Sequence, residues 1–178
     1  MKTKQLLNHA SKYTLFAAAI MVIYLLLMWI VNANILKLNL ISFLIQAFAI
    51  IFFSLKAIEV ARVEYGDGYI SYFNAFLLCF IISFFSLLIF LLVKLLIFYV
   101  IDPGYLNNLV NSLIVELEMQ KDMIPESFQS FATSENIALT YSFKYQLATA
   151  FNYLIESAIL GLIIAGFARK KPSINENF

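Results

Sequence analysis

The longest apolar run of the chain extends from Tyr69 to Ile101 and reads YISYFNAFLLCFIISFFSLLIFLLVKLLIFYVI. Its one charged residue is Lys94. The run lacks the polar–apolar alternation of a barrel strand, and it exceeds the roughly 20 residues that a helix needs to cross a bilayer. It therefore predicts a transmembrane helix.

Three further apolar runs accompany this one, and only the last of them has a charge, Glu156, near its centre. The predicted spans are residues 13–32, 35–55, 69–101 and 145–168, with a link at 102–144. The basic start before the first run also resembles a signal peptide, but the run is longer than the usual 7–15 apolar residues, which favours a retained helix. The sequence predicts an all-α integral membrane bundle of four transmembrane helices, forming a single membrane domain over residues 1–178.

Composition supports the same class of protein. The chain is 62% hydrophobic and 13% charged, with a mean hydropathy of +0.86, whereas about a quarter of the residues in a soluble domain are charged. The lipid bilayer is therefore the predicted partner, and a net charge of +1 gives no reason to expect nucleic acid. With one cysteine, Cys79, one histidine, His9, and no nucleophile–base pattern or nucleotide fingerprint, the sequence predicts no metal, no cofactor and no enzymatic activity.

The distribution of basic residues predicts an orientation. Eight of them lie at one set of helix ends and three at the other: Lys2, Lys4, Lys12, Lys56, Arg62, Arg169, Lys170 and Lys171, against Lys37, Lys121 and Lys144. Because basic residues are enriched on the cytoplasmic side, we expect both termini in the cytoplasm and the long link outside it. The predicted location is the bacterial inner (plasma) membrane, crossed several times.

The link itself is predicted to be helical and amphipathic. Asp102-Pro103-Gly104 ends the third span, and apolar residues then recur at helical spacing from Leu106 to Leu117. A second short helix is expected at 125–131, and a third begins near Thr133. Six acids against Lys121 make the link acidic between Asp102 and Tyr141. Packing over the mouth of the bundle is favoured over lying on anionic lipid, because interfacial helices usually carry Lys or Arg.

Polar residues inside the predicted spans form the candidate site. A charge near the bilayer centre costs about 2.5–3.5 kcal/mol on insertion scales, so Glu156 must be protonated, paired or facing water. Counting residues inward from Ile101 and Tyr145 places Lys94 and Glu156 about one helical turn apart in depth, and Asn152 and Gln46 complete the predicted cluster. Two interpretations remain open: a structural ion pair with hydrogen bonds between helices, or a path for a proton or cation.

A ridge of small residues marks the last span, at Ser157, Gly161 and Ala165. Small residues four apart allow a second helix to approach closely. The ridge predicts a helix-packing surface, for a neighbouring helix of the same chain or for a second copy.

Two short motifs carry a resemblance to a known family. EYGDGYISYFNAF at 64–76 runs into the third span, and IDPGYL at 101–106 precedes the acidic amphipathic stretch, which is followed by the last span and the basic residues 169–171. Together they resemble the family called domain of unknown function 4199, small four-helix membrane proteins typical of Bacteroidetes. The resemblance implies a membrane protein of this length and supplies no activity or site.

Two functional hypotheses follow. In the first, the protein is a small structural, accessory or interaction protein, whose partner is another membrane or periplasmic protein or a second copy of itself. In the alternative, it is a small transporter or channel-like protein that uses the cluster around Lys94 and Glu156. The sequence does not distinguish them.

Overall fold

The computed structural model describes residues 3–66, 68–119 and 133–168, and these ranges contain helices and no strand. The helices are α1 (Thr3–Ile30), α2 (Asn39–Tyr65), α3 (Tyr72–Leu96), α4 (Pro103–Met119), α5 (Ser134–Thr140) and α6 (Phe143–Ala168). A π-helical turn, Ile97–Ile101, continues α3.

Four of these helices are long and apolar enough to cross a membrane. They are α1, α2, α6 and α3 with its π-helical turn, and mean hydropathy ranges from 1.7 in α6 to 3.1 in α3. The predicted fold class, an all-α bundle of four membrane-spanning helices with a helical segment between the third and fourth, is confirmed.

The first two helices differ in length from the predicted spans. Helix α1 begins at Thr3 rather than near residue 13, and α2 continues to Tyr65 rather than ending at 55. The added turns are polar, and in α2 they include an ion pair of 2.8 Å between Lys56 and Glu59. Apolar runs mark the part of a helix that lipid covers, whereas good helix formers such as Lys and Glu extend the helix beyond it.

The connection between α1 and α2 is longer than the gap between the predicted spans 13–32 and 35–55. It spans residues 31–38, and Asn32 has a positive φ of 51°. The side-chain Oδ1 of Asn34 accepts hydrogen bonds from the backbone N–H groups of Leu36 and Lys37, each at 3.1 Å. An asparagine that binds nearby backbone in this way competes with helix formation, so α2 begins at Asn39 rather than at 35.

Helix α3 is the centre of the bundle. It packs against α1, α2 and α6, whereas α2 and α6 touch each other along only a small part of their length. Its buried residues include Leu78, Ile82 and Leu91, together with the hydroxyl-bearing Ser83 and Ser86. A cleft is therefore left between α2 and α6, with α3 as its floor.

The two ends of the bundle differ in structure. At the termini end, Nε2 of His9 lies 2.9 Å from the carbonyl oxygen of Ala57, and the Arg62 guanidinium donates to the carbonyl of Ala168 at 3.4 Å. At the link end, Nε1 of Trp29 donates to the Asp102 carboxylate at 3.1 Å. One end of the bundle therefore contains the start of α1 and the ends of α2 and α6. The α1–α2 connection and α4 lie at the other end.

Helix α4 confirms the predicted amphipathic helix of the link. It buries Leu106 and Leu109, and the Tyr105 hydroxyl donates to the carbonyl of Ala33 at 2.7 Å. Burial raises the pKa of this hydroxyl above its ordinary value, so it remains a donor. Lys37 and Glu116 form an ion pair at 2.8 Å. Helix α4 therefore packs on the α1–α2 connection.

The remainder of the link is described in part. Thr133 caps α5, since its hydroxyl accepts from the backbone N–H of Asn136 at 3.2 Å. This agrees with the helix start predicted near Thr133. The second short helix predicted at 125–131 lies outside the described residues.

Candidate binding cleft

The cleft between α2 and α6 consists of two connected halves. The link-end half has a volume of about 230 Å³ and is lined by Ile35, Leu36, Asn39, Ser42, Phe43, Gln46, Phe90, Lys94, Phe98, Tyr153 and Glu156. The inner half has a volume of about 220 Å³ and is lined by Phe43, Gln46, Ala47, Ile50, Leu87, Glu156, Ile159 and Leu160. The two halves share Phe43, Gln46 and Glu156, so they are parts of one cleft.

Polarity changes in the same direction along all three walls. On α2, Asn39 and Ser42 precede Ile50. On α3, Lys94 lies nearer the link end than Leu87, and on α6 the polar wall residues come before Leu160. The link-end half is therefore polar on every wall, and the inner half is almost entirely apolar.

Lys94 and Glu156 line the same half of the cleft but are not paired. Within residues 3–66, 68–119 and 133–168, neither side chain forms an ion pair or a hydrogen bond. Lys94 is half-buried, and Glu156 is exposed. The direct ion pair considered in the sequence analysis is absent from these residues.

The register between α3 and α6 explains this separation. The rings of Tyr99 and Phe143 lie 5.3 Å apart, which sets the two helices level at the link end. Lys94 is five residues inward from Tyr99, and Glu156 is thirteen residues inward from Phe143, so their backbones differ in depth by about 12 Å rather than by one turn. Side chains tilt toward the N-terminus of their helix. Lys94 and Glu156 therefore lean toward each other across the cleft.

The two amides of the predicted cluster have different positions. Gln46 is half-buried and lines both halves of the cleft. Asn152 is exposed on α6 and is not part of either lining. The structure thus brings together Lys94, Glu156 and Gln46, and leaves Asn152 outside.

The small-residue ridge faces α3. Ser157 and Ala165 are completely buried, and a Cβ atom added to Gly161 would lie 3.2 Å from the ring of Phe76. One residue further along α6, the carbonyl of Leu162 accepts a hydrogen bond from the Tyr72 hydroxyl at 3.2 Å. The ridge therefore packs within the chain, where it holds α6 close to the floor of the cleft.

Sequence reasoning missed several polar residues of the cleft. Asn39, Ser42 and Tyr153 line its polar half. The Ser42 hydroxyl also lies 2.8 Å from that of Tyr24 in α1 and donates to the carbonyl of Leu38 at 3.0 Å. Serine and tyrosine are common near the ends of spans. Only the spacing of Asn39 and Ser42 to Gln46 on α2, and of Tyr153 to Glu156 on α6, could have indicated these shared faces.

The contacts of His9 were not predicted either. It is 8% exposed, lies against the rings of Tyr13 and Tyr65, and contacts the Ala57 carbonyl through Nε2. This histidine joins α1 to α2 at the termini end, far from the cleft. Among the described residues, no group of three His, Cys, Asp or Glu side chains is placed to hold a metal ion.

The four long apolar helices define a helical membrane protein whose bundle contains a cleft between two of its helices. The chain belongs to the family described as Protein of unknown function (DUF4199), whose model matches residues 12–170. The family resemblance drawn from the two motifs is thereby confirmed. No curated protein and no solved structure matches the chain.

Proposed function

We propose that this protein is a non-enzymatic accessory or interaction protein of the bacterial inner membrane, and that it holds a membrane-embedded molecule in the cleft between α2 and α6. The observation that carries the proposal is that Lys94 and Glu156 line one cavity without an ion pair or hydrogen bond to any described residue. A charge in a membrane span is costly unless it is paired or solvated. An occupant of the cleft can supply the partner that Lys94 lacks among the described residues.

The ridge on α6 narrows the choice of interaction surface. Ser157, Gly161 and Ala165 are covered by α3 and are not available to a second copy of the chain. The cleft, in contrast, is bordered by exposed side chains such as Phe43 and Ile159. These observations favour the cleft as the surface through which the protein interacts within the membrane.

The localisation in this proposal rests on charge. With both termini and the α2–α3 turn in the cytoplasm, the excess of Lys and Arg lies where the positive-inside rule requires it. The link end of the cleft then belongs to the periplasmic half of the bilayer, and α4 lies outside the cytoplasm.

Site-specific photo-crosslinking in cells tests the proposal. A photoreactive amino acid at Gln46 points into the cleft, and the same amino acid at Leu44 is its control, because Leu44 is 56% exposed and does not line the cleft. We expect an adduct of defined mass at position 46 that position 44 does not form. Equal adduct patterns at the two positions would contradict an occupied cleft.

A small transporter or channel is the second candidate, because the cavity brings Lys94, Glu156 and Gln46 together. Against it, the inner half of the cleft is lined by apolar side chains such as Leu87 and Leu160. Proton or cation flux into liposomes that Glu156→Gln abolishes would favour this candidate. Flux no higher than in empty liposomes would exclude it.

A further inference from the structure

We propose that the occupant of the cleft is a lipid-like amphiphile with an anionic headgroup, which binds Lys94 while its acyl chain follows the apolar half. This inference rests on the proposed function and adds the chemical class of the ligand. Three features of the cleft carry it: its charge, the direction in which its polarity changes, and its opening to lipid.

The link-end half contains one basic side chain, Lys94, that can bind an anionic group, and one acidic side chain, Glu156, where it meets the inner half. Lys94 is its one cation, and it has no ion-pair or hydrogen-bond partner among the described residues. Neighbouring donors include the Gln46 amide and the Tyr153 hydroxyl. A phosphate or carboxylate beside Lys94 would neutralise it and accept these hydrogen bonds.

The change in polarity matches the orientation of a lipid. A lipid in the link-side half of the bilayer has its headgroup toward the link end and its chain toward the bilayer centre. The cleft has Lys94 and Asn39 toward the link end, and Ile50, Leu87 and Leu160 further in. An amphiphile therefore enters without turning over. A wholly polar solute would leave the inner half unfilled.

The cleft is open on one side, and this opening gives such a ligand a route of entry. Phe43 and Ile159 on its two edges are 64% and 53% exposed on the lipid-facing surface. At the link end, by contrast, Ile35 and Leu36 of the α1–α2 connection line the cavity. That connection is held by α4 through the bond from Tyr105 to Ala33. Entry from within the bilayer is therefore the open route.

Glu156 adds selectivity. Its backbone lies about 12 Å deeper than that of Lys94 by helical rise, and its side chain lines both halves of the cleft. Its carboxylate opposes an anion that penetrates beyond Lys94. The inference therefore predicts opposite effects on binding for the two side chains. Loss of Lys94 weakens binding, and loss of the Glu156 charge strengthens it.

Native mass spectrometry of the full chain, released from detergent, tests this inference. The probes are phosphatidylglycerol, diacylglycerol with the same chains, and inorganic phosphate. The variants are Lys94→Gln, Lys94→Arg, Glu156→Gln and Lys144→Gln. Lys144 is an exposed lysine on α6 outside the cleft and serves as the charge-matched control.

We expect phosphatidylglycerol to bind the wild-type chain more tightly than diacylglycerol does. Lys94→Gln should weaken its binding by about tenfold to a hundredfold, the range for loss of a hydrogen bond to a charged group. Lys94→Arg and Lys144→Gln should retain binding, and Glu156→Gln should strengthen it by roughly threefold to tenfold. These four results together support an anionic amphiphile.

Contrary outcomes are equally definite. Undiminished phosphatidylglycerol binding by Lys94→Gln, or weaker binding by Glu156→Gln, would overturn the inference. Binding of inorganic phosphate without the lipid would show a free anion instead. A protein adduct at position 46 without lipid binding would refute the amphiphile alone, whereas no distinct adduct at that position would refute the proposed function itself.

Discussion

Gly161 of α6 packs closely against Phe76 of α3. A Cβ atom at position 161 would lie 3.2 Å from the Phe76 ring and 3.4 Å from its carbonyl oxygen. Four residues away on either side, Ser157 and Ala165 are fully buried in the same interface. A residue without a side chain therefore allows α6 to approach α3 closely at this point.

We expect Gly161→Leu to lower the free energy of unfolding by about 1–3 kcal/mol, because the added side chain overpacks the interface. Gly166→Leu is the matched control: it lies on the same helix, and a Cβ atom there meets nothing within 4 Å. The measurement is the thermal unfolding midpoint of each purified variant in the same mild detergent. Equal midpoints for the two variants would contradict the close approach of α6 to α3.

Asp102 is expected to hold α4 in place through two bonds. Its Oδ1 accepts from the backbone N–H of Tyr105 at 3.0 Å, and its Oδ2 accepts from Nε1 of Trp29 at 3.1 Å. Asp102→Ala removes a helix cap, and we expect a loss of about 0.5–2 kcal/mol.

Tryptophan fluorescence checks this prediction at the bond itself, since Trp29 is the one tryptophan of the chain. Asp102→Ala should shift its emission and increase quenching by acrylamide. Asp102→Asn separates the two bonds, because its one amide oxygen can still cap the helix by accepting from Tyr105, whereas its NH2 group cannot accept from Trp29; it should keep most of the stability and still shift the emission. Emission identical to the wild type in Asp102→Ala would argue against the Trp29 contact.

The ion pair between Lys37 and Glu116 should contribute little to stability. The two side chains are each 41% exposed, and ion pairs that reach solvent are worth about 0–1 kcal/mol. A double-mutant cycle with Lys37→Gln and Glu116→Gln should give a coupling energy in that range, and salt should reduce it. A coupling above about 2 kcal/mol would mean that the pair, rather than Tyr105 and Asp102, anchors α4.

The elements of this fold were predictable where lipid alone determines them. A run such as Tyr69 to Ile101 has one stable arrangement in a bilayer, and the apolar spacing from Leu106 to Leu117 leaves little choice but an amphipathic helix. Helix ends were harder to predict, because the polar last turns of α2 resemble a loop in hydropathy although they are good helix formers.

The sequence predicted which residues belong to the candidate site better than it predicted their arrangement. Lys94, Gln46 and Glu156 are unusual enough in apolar spans to be selected by type alone. Their relative depth depends on how α3 and α6 align, and that alignment follows from the contact of Gly161 with Phe76 and of Tyr99 with Phe143. Asn152 was misplaced for the same reason: a position one turn from Glu156 need not face the same neighbour. The apolar periodicity of one helix does not predict which residues of another helix it contacts.

The orientation of the chain gives a final prediction, which cysteine labelling measures. The native Cys79 is completely buried, so we expect it not to react with the maleimide. We expect Glu118→Cys, on an exposed position of α4, to react with a membrane-impermeant maleimide in intact spheroplasts. Lys4→Cys, exposed at the termini end, should react only after the membrane is permeabilised. The reverse pattern would place the link in the cytoplasm, contrary to the excess of basic residues at the other end, and would assign the cleft to the opposite half of the bilayer.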